Sequence, residues 1–331
     1  MDNLAALEDL DAYCRLFTSV ELWRPYVQAV CRRHNLNPHR QVRVGIPGTY
    51  PAFLVEDRWV VKFFGRLFDG GRAFEVEREA ARLVQQSRVE IPTARVVAAG
   101  RLGGGGWPWP YLIFDFIPGV SIGAVMDQLT PRERLRLARA LGHWVRRLHD
   151  IPLDGQATFP NCWEPYLAFL QEQRDSCVQN HRGWGTLPAH LIHQIEAFLP
   201  PVEALVDRAR PPHLIHADLT RDHLLGRLEE GHWTSLALID FGDAMTGSLW
   251  YELAALHLDL FGGDSALLAE FWAGYAPVPR PKEGARLALA AALLHRFNVL
   301  ASLPPEKFQV DTLEELARSW WEPGKTTADK E

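Results

Sequence analysis

The sequence lacks the features that define several large classes of protein. Its 331 residues contain no uninterrupted apolar stretch long enough to span a bilayer, so no membrane partner is predicted. The segment MDNLAALEDLDAYCRLF carries acids where a secretory signal carries bases, so a cytoplasmic location is expected. Basic residues are also in deficit, because the formal net charge at pH 7 is -6. A general nucleic-acid binder would normally show a basic face, so no nucleic-acid partner is predicted.

Cysteine is scarce, and its spacing does not indicate metal or redox chemistry. The four cysteines are far apart and none forms a CxxC pair: Cys14, Cys31, Cys162 and Cys177. The chain therefore shows neither a zinc-ribbon nor a redox-dithiol pattern. We expect all four thiols to behave as small buried hydrophobic groups.

The length predicts one large domain or two of medium size, and the pattern of the chain changes at Pro118. Residues 41–117 read as short strands bounded by turn residues, with one helix at about residues 71–86. The strand segments are QVRV, AFLVED, WVVKFF, ARVVAAG and YLIFDFI. The glycine run at residues 103–106 is expected to form a hairpin loop between the last two of these strands.

Beyond Pro118 the apolar spacing becomes that of helices. The sequence TPRE predicts a helix start, with Thr130 as the N-cap, Pro131 at the first helical position and Glu133 completing a capping box. Further helices are predicted at residues 163–177, 190–209, 250–261, 266–275 and 281–300. Only HLIHADL, DHLLGRL and SLALIDF look extended, and the polar tail, about residues 321–331, is expected to be flexible.

A glycine turn and a strand lysine lie close together in the first region. Gly45 and Gly48 separate two extended segments, and such a turn can place backbone N–H groups over phosphates. Lys62 follows inside the apolar strand WVVKFF, where it needs a counter-charge, although a lone strand lysine is more often a solvated edge residue. The following helix offers three candidate partners: Glu75, Glu77 and Glu79.

Two acidic motifs stand out in the second region. HADLTRDHLL contains Asp218 and His223, and LALIDFGDA contains Asp240 at the end of an apolar strand. The first motif alone fits an ordinary surface turn, a metal site or a catalytic loop. Together the two motifs offer the oxygen and nitrogen ligands that a nucleotide-bound Mg2+ would use.

The order of these motifs resembles that of the aminoglycoside phosphotransferase family, most specifically in LIHADLTRDHLL and ALIDFGDAMTGSLWYELA. The resemblance covers about residues 41–260. It implies an α+β, two-lobed protein-kinase-like fold with an N-terminal antiparallel sheet and one helix, and a larger, mostly helical C-terminal lobe. The implied boundaries are residues 1–116 for the nucleotide-binding lobe, with leading helices in 1–40, and residues 117–331 for the catalytic lobe. The implied activity is transfer of the γ-phosphate of ATP or GTP, with Mg2+, to a small-molecule hydroxyl.

The resemblance also implies roles for individual residues. Asp218 matches the catalytic aspartate, and His216 matches the motif histidine that braces its loop. Lys62 resembles the lysine on the α- and β-phosphates. Glu79 best fits the helix partner of that lysine, with Glu75 or Glu77 as the fallback.

The nucleotide and metal contacts follow from the same resemblance. Asp240 resembles the metal-binding acid, while the backbone of Asp115, Phe116 and Ile117 resembles the hinge that reads a purine edge. The departure is His223, since the commoner family residue there is asparagine. Imidazole is a softer ligand that binds only when neutral, so the change bears on Mg2+ affinity and pH dependence. The macrolide-phosphorylating branch of the family is similar in having histidine at that place.

The acceptor is the least specified part of the prediction. Acids of the helical region could attract a cationic aminoglycoside antibiotic, and they are Glu164, Glu172, Asp175, Asp259, Asp264 and Glu270. Arg221 is a candidate contact for the transferred phosphate, although a solvated loop residue is an equal alternative. Two other functions stay open: a nucleotide-binding regulator without turnover, and a metal-dependent hydrolase that uses His216, Asp218 and His223 as ligands.

Overall fold

Contacts divide the chain of the computed structural model into two compact units. The structure describes residues 4, 7–36, 41–46, 48–87, 90–103, 106–276 and 283–322. The first unit comprises residues 1–88, 92–119 and 236–243, and the second comprises residues 89–91, 120–235 and 244–331. The short segment 236–243 carries Asp240, so this acid belongs to the same unit as Lys62 although 178 residues separate them.

The regular elements of the described residues are as follows. The helices are α1 Leu10–Leu16, α2 Val20–Arg33, α3 Gly70–Gln86, α4 Pro131–His149, α5 Glu164–Trp184, α6 Ala189–Ile192, α7 Ile195–Phe198, α8 Leu249–Ala255, α9 Ser265–Tyr275, α10 Gly284–Leu293 and α11 Leu313–Trp321. The strands are β1 Val42–Val44, β2 Ala52–Val55, β3 Trp59–Phe63, β4 Val96–Arg101, β5 Pro110–Asp115, β6 Val120–Ser121, β7 His213–Ile215, β8 Leu224–Glu229, β9 His232–Leu238 and β10 Met245–Gly247.

A five-stranded antiparallel sheet forms the centre of the first unit. Its strand order is β1-β2-β3-β5-β4, and β4 and β5 pair antiparallel as the glycine run between them predicts. Alternate residues of each strand face opposite sides of a sheet. On one side Val61 and Phe63 join the core formed with α1 and α2. On the other side Leu112 and Phe114 pack with residues of α3.

Helices dominate the second unit. The most extensive packing between two helices is that of α4 against α9, where two glycines allow the backbones to approach closely. A Cβ atom on Gly142 would lie 2.1 Å from the carbonyl oxygen of Phe271, and one on Gly274 would lie 2.0 Å from that of Arg139. Any larger residue at either position would force the two helices apart.

The start of α4 confirms one half of the predicted capping box. The Thr130 hydroxyl accepts a hydrogen bond from the N–H of Glu133, as an N-cap should. The Glu133 carboxylate instead accepts from the backbone N–H of Trp233 at 3.1 Å. The predicted reciprocal bond is therefore wrong, because the acid is used to attach α4 to β9.

Several predicted elements differ from those observed. The helix predicted at 190–209 is broken into α6, α7 and a 3-10 turn, and Pro200 and Pro201 separate α7 from that turn. The helix predicted at 250–261 changes after Ala255 into a π-helical turn, Leu256–Leu260. Helix α11 was not predicted, and it ends at Trp321 inside the segment expected to be a flexible tail; residues 323–331 of that tail lie outside the described part.

Burial of the cysteines is also only partly as expected. Cys31 and Cys177 are buried, whereas Cys14 and Cys162 are exposed on helical and loop surface. The predicted α+β architecture is confirmed, with an antiparallel sheet in the first unit and a mostly helical second unit. Across the described residues, every helix is too short or too polar to cross a bilayer.

Candidate functional site

A buried cluster of one lysine and two acids lies in the first unit. Strand alternation turns Lys62 toward α3, away from Val61 and Phe63. Its Nζ lies 2.8 Å from Glu77 Oε2 and 2.7 Å from Asp240 Oδ1. Two charge-assisted hydrogen bonds from different elements therefore fix the position of the ammonium group.

The electrostatics of this cluster follow from burial and from the uneven number of charges. Burial alone would lower the pKa of Lys62, but Asp240 and Glu77 outweigh it and hold that pKa above its ordinary value. Burial raises the pKa of Glu77 to about 7, although Lys62 opposes the rise. Two carboxylates facing one ammonium leave an excess negative charge, which a further cation or bound proton would stabilise.

The acid that pairs with Lys62 is Glu77, so the preferred assignment to Glu79 is wrong. Glu79 instead receives hydrogen bonds from Arg82, one turn further along α3. The reason lies in the helix period, since the stripe of α3 that is buried includes Ala73, Glu77 and Ala81. Glu79 lies outside that stripe and faces the solvent-accessible side with Arg82.

Replacing Glu77 by glutamine is expected to weaken nucleotide binding about tenfold or more. Glutamine keeps the shape of the side chain but removes the charge that holds Lys62, and hydrogen bonds to charged groups contribute about 1.5–3 kcal/mol. Glu79→Gln is the matched control on the same helix and should change nucleotide affinity little. Titration calorimetry with a magnesium nucleotide measures both, and equal affinities of the two variants would contradict the assignment.

The glycine turn lies beside the same cluster. A Cβ atom on Gly45 would lie 3.1 Å from the carbonyl oxygen of Ala52, whose oxygen also accepts the Gly45 N–H at 2.8 Å. A Cβ atom on Gly48 would lie 3.9 Å from Asp240 Oδ2, so the turn passes close to that carboxylate. Both glycines predicted to contact a nucleotide are thus in the unit that holds Lys62 and Asp240.

Two of the three backbone N–H groups of the predicted hinge, Asp115 to Ile117, are already used in hydrogen bonds within the fold. The N–H of Asp115 donates to the carbonyl of Arg95, and the N–H of Phe116 donates to that of Arg58 at 2.8 Å. The Asp115 carboxylate is paired with Arg95. A backbone donor to a purine edge would therefore have to be Ile117, with carbonyl groups as acceptors.

The HADL loop in the second unit is held by two buried side chains. Glu252 Oε2 accepts the N–H of His216 at 2.5 Å, and His295 Nε2 donates to the carbonyl of Ala217 at 3.0 Å. Ala217 has φ 65°, a left-handed conformation that favours glycine. These contacts fix the chain immediately before Asp218.

His223 lies against the backbone of the same loop. Its Nδ1 is 2.5 Å from the carbonyl oxygen of Asp218 and 3.2 Å from Thr220 Oγ1. A carbonyl oxygen can only accept, so Nδ1 carries the proton and the lone pair of the neutral ring is on Nε2. A backbone bond of this type orients an imidazole for metal binding through its other nitrogen.

The donor set can be compared with the needs of a metal ion. Asp240 supplies hard carboxylate oxygen, the donor that Mg2+ prefers, and the His223 tautomer places its lone pair at Nε2. Within the ranges that the structure describes, no group of three or more His, Cys, Asp and Glu side chains is arranged to hold a metal. The assignment of Asp240 and His223 as metal ligands stays a prediction, in which each would contribute one donor.

Arg221 is engaged by an acid on the π-helical turn. Its backbone N–H and Nε both donate to Asp259 Oδ1, at 2.8 and 3.2 Å, and its terminal nitrogen donates to the Asp259 carbonyl at 2.6 Å. The Ser302 hydroxyl donates to the other oxygen of the Asp259 carboxylate. This arrangement makes Arg221 a support of the loop rather than the solvated residue of the alternative interpretation.

Glu252 and His295 were not identified from the sequence. Glu252 is fully buried, and burial raises its pKa while His216 opposes the rise. An acid inside the apolar run of α8, without a basic neighbour in that helix, is the signal that could have revealed it. His295 follows α10 and offered no comparable signal.

Comparisons with known proteins agree with this architecture. The model of the phosphotransferase enzyme family matches residues 46–288. Similar solved structures include the GDP complex of wild-type aminoglycoside 2'-phosphotransferase-IIIa, at 18% identity, 89% coverage of this chain, 98% of that chain and a TM-score of 0.63. The microcompartment-associated aminopropanol kinase matches at 18% identity, with coverages of 89% and 93% and a TM-score of 0.55. Spectinomycin phosphotransferase with ADP and spectinomycin matches at 14% identity, with coverages of 88% and 97% and a TM-score of 0.54.

A curated relative is similar over a shorter stretch. Lysine-specific demethylase JMJ21 of Arabidopsis thaliana is 23% identical over an alignment of 201 residues that covers 50% of this chain and 21% of that protein. The chain thus spans about a fifth of the length of that relative. The structural likenesses establish the fold, and the family model covers well over half of the sequence. The chain belongs to the phosphotransferase enzyme family.

Proposed function

We propose that this chain is an ATP- or GTP-dependent phosphotransferase that moves the γ-phosphate to a hydroxyl group of a small molecule. The observation that carries the proposal is the buried Lys62 held between Glu77 and Asp240. Phosphoryl transfer needs alignment and charge neutralisation more than covalent chemistry. An ammonium fixed by two acids supplies the alignment, and a cation bound beside those acids would offset their excess negative charge.

Each remaining residue has one task in this proposal. Asp218 accepts the proton of the acceptor hydroxyl or orients that hydroxyl, while Lys62 neutralises the phosphates. Gly45 and Gly48 allow backbone N–H groups to approach the phosphates. Asp240 and His223 are the proposed ligands of Mg2+, which when bound would neutralise charge on the transferred phosphate.

The nucleotide is proposed to be a purine. Two of the similar structures are complexes with GDP and ADP. At their low identity they support a purine co-substrate without choosing between guanine and adenine. Ile117 is the proposed N–H donor to the base, because Asp115 and Phe116 use their own N–H groups within the fold.

The acceptor is proposed to carry less positive charge than an aminoglycoside. Three of the six acids expected to attract such a polycation are ion-paired with arginines, and two more accept hydrogen bonds from neutral donors. Glu164 is paired with Arg208, Asp259 with Arg221, and Glu270 with Arg139. The Asp264 carboxylate caps α9, and Asp175 accepts from Gln171. A paired acid attracts a cation less strongly than a lone one, which favours amino alcohols, sugars or macrolides as acceptors.

A nucleotide-consumption screen tests the proposal. ATP and GTP, each with Mg2+, would be offered with aminoglycosides, macrolides, amino alcohols and sugars, and the release of ADP or GDP would be measured. We expect release that depends on one acceptor class and exceeds the rate without acceptor. Nucleotide binding with no turnover across the panel would favour a regulator, and zinc or iron retained by the purified chain would favour a metal-dependent hydrolase.

A further inference from the structure

The two N-terminal helices form part of the first unit but precede the family match, which begins at residue 46. They cover the face of the sheet opposite α3. The Trp23 ring is fully buried, with its centroid 4.7 Å from that of Phe63 and 5.1 Å from that of Trp109. Phe63 directly follows Lys62 in β3, so α2 packs on the strand that carries the central lysine.

Helix α1 makes a direct contact with the glycine turn. The hydroxyl of Tyr13 donates to the carbonyl oxygen of Thr49 at 2.7 Å, and the Tyr13 side chain is buried. Thr49 follows Gly48, whose position faces Asp240. A carbonyl held by a buried donor restricts the backbone of the turn at that point.

The same turn is attached to the segment that leads into α3. The hydroxyl of Tyr50 donates to the carbonyl of Phe68 at 2.5 Å, and the rings of Tyr13 and Phe68 pack edge to face at 5.9 Å. Phe68 and Asp69 both have left-handed φ angles, of 59° and 55°. Non-glycine residues hold such conformations only where surrounding contacts determine them.

We propose that Tyr13 is a positioning residue for the glycine turn, so that helix α1 sets the affinity for the phosphates of the nucleotide. The inference rests on the proposed function. A turn that is ordered before binding does not lose conformational entropy when phosphates arrive, whereas an unattached turn does. Tyr13 supplies that order at Thr49, next to the glycine that lies by Asp240.

The test compares three variants of the full chain by calorimetry with Mg·ADP and Mg·GDP and by steady-state kinetics. Tyr13→Phe removes only the hydroxyl and should raise the nucleotide Kd and KM about five- to tenfold, with kcat and the acceptor KM little changed. Tyr26→Phe is the matched control on α2, because its hydroxyl makes no hydrogen bond within the described residues. Trp23→Phe controls for stability: it should lower Tm without changing the nucleotide Kd.

Hydrogen exchange of the free chain supplies a readout without nucleotide. Tyr13→Phe should speed exchange of the Gly45 N–H, whereas Tyr26→Phe should not. Unchanged nucleotide affinity in Tyr13→Phe would overturn the inference, as would an equal loss of affinity in Trp23→Phe. If the natural chain bound no nucleotide, the proposed function would fail and the inference with it. By contrast, if the natural chain and Tyr13→Phe bound nucleotide equally well, the inference would fail while the proposed function would stand.

Discussion

Replacing Asp218 by asparagine is expected to lower turnover about a thousandfold while leaving nucleotide affinity within about twofold. Asparagine keeps the size of the side chain but cannot accept a proton, and a positioned general base contributes about 10²–10⁴ to rate. Glu252 and His295 hold the backbone on either side of Ala217, so the loop should keep its conformation in the variant. The loss should therefore appear in kcat rather than in nucleotide binding.

The control lies in the same loop. Asp222 is exposed, and Asp222→Asn removes an equal charge four residues away without touching the proposed hydroxyl contact. Initial rates at saturating nucleotide would be compared for both variants, with calorimetry for binding. Full turnover by Asp218→Asn, or an equal loss in Asp222→Asn, would contradict the role assigned to Asp218.

Acid is expected to unfold the second unit well above the pH at which its carboxylates become protonated. Burial lowers the pKa of His149 to about 3 and the pKa values of His213, His257 and His295 to about 4. The rings of His149 and His213 are also stacked, with centroids 4.7 Å apart, so protonation of both would be unfavourable. The unfolded chain binds protons at these groups near pH 6.5, whereas the folded chain does not.

The direction of the effect follows from linkage. Since the unfolded state holds more protons between about pH 6.5 and pH 4, stability is full above pH 6.5 and is lost as pH falls toward 4. Glu252 acts in the opposite sense, because its raised pKa favours protonation in the folded state. A net difference of about three protons gives a slope of about 4 kcal/mol per pH unit. Two pH units would then remove about 8 kcal/mol, comparable with the whole stability of a domain.

Urea denaturation between pH 8 and pH 5 measures this slope. Removing one buried imidazole, as in His213→Gln, should reduce the number of protons taken up on unfolding by about one. The slope of the unfolding free energy should then fall by about 1.4 kcal/mol per pH unit. His232→Gln is the control, because that side chain is 76% exposed. A urea midpoint that stays constant from pH 7.5 to pH 5 would contradict the account of these histidines.

Local sequence patterns predicted the strands and helices more accurately than they predicted the contacts between distant residues. Strand alternation and apolar runs correctly indicated the sheet, because each strand signals its two faces within a few residues. The partner of Lys62 was also within reach of the sequence. Ala73, Phe74 and Ala81 define the buried stripe of α3, and Glu77 falls inside that stripe whereas Glu79 does not. The helix period therefore indicates Glu77 as the partner of Lys62.

Other contacts could not be predicted, since they join distant parts of the chain. Glu252 reaches the N–H of His216 across 36 residues, and His295 reaches the carbonyl of Ala217 across 78. Tyr13 meets Thr49 from a helix that precedes the family match. Glu252 lies within ALIDFGDAMTGSLWYELA, but that motif does not reveal its partner, and Tyr13 and His295 belong to no motif. Only the folded chain brings these residues to their partners.

The most direct test of the central claim is a product measurement. The chain would be incubated with Mg2+, ATP or GTP and the acceptor class that promotes release of ADP or GDP. Mass spectrometry would then measure phosphorylation of the acceptor. We expect one phosphomonoester to form for each ADP or GDP released, with formation abolished in Asp218→Asn. Nucleotide binding or hydrolysis without any phosphorylated acceptor would contradict it.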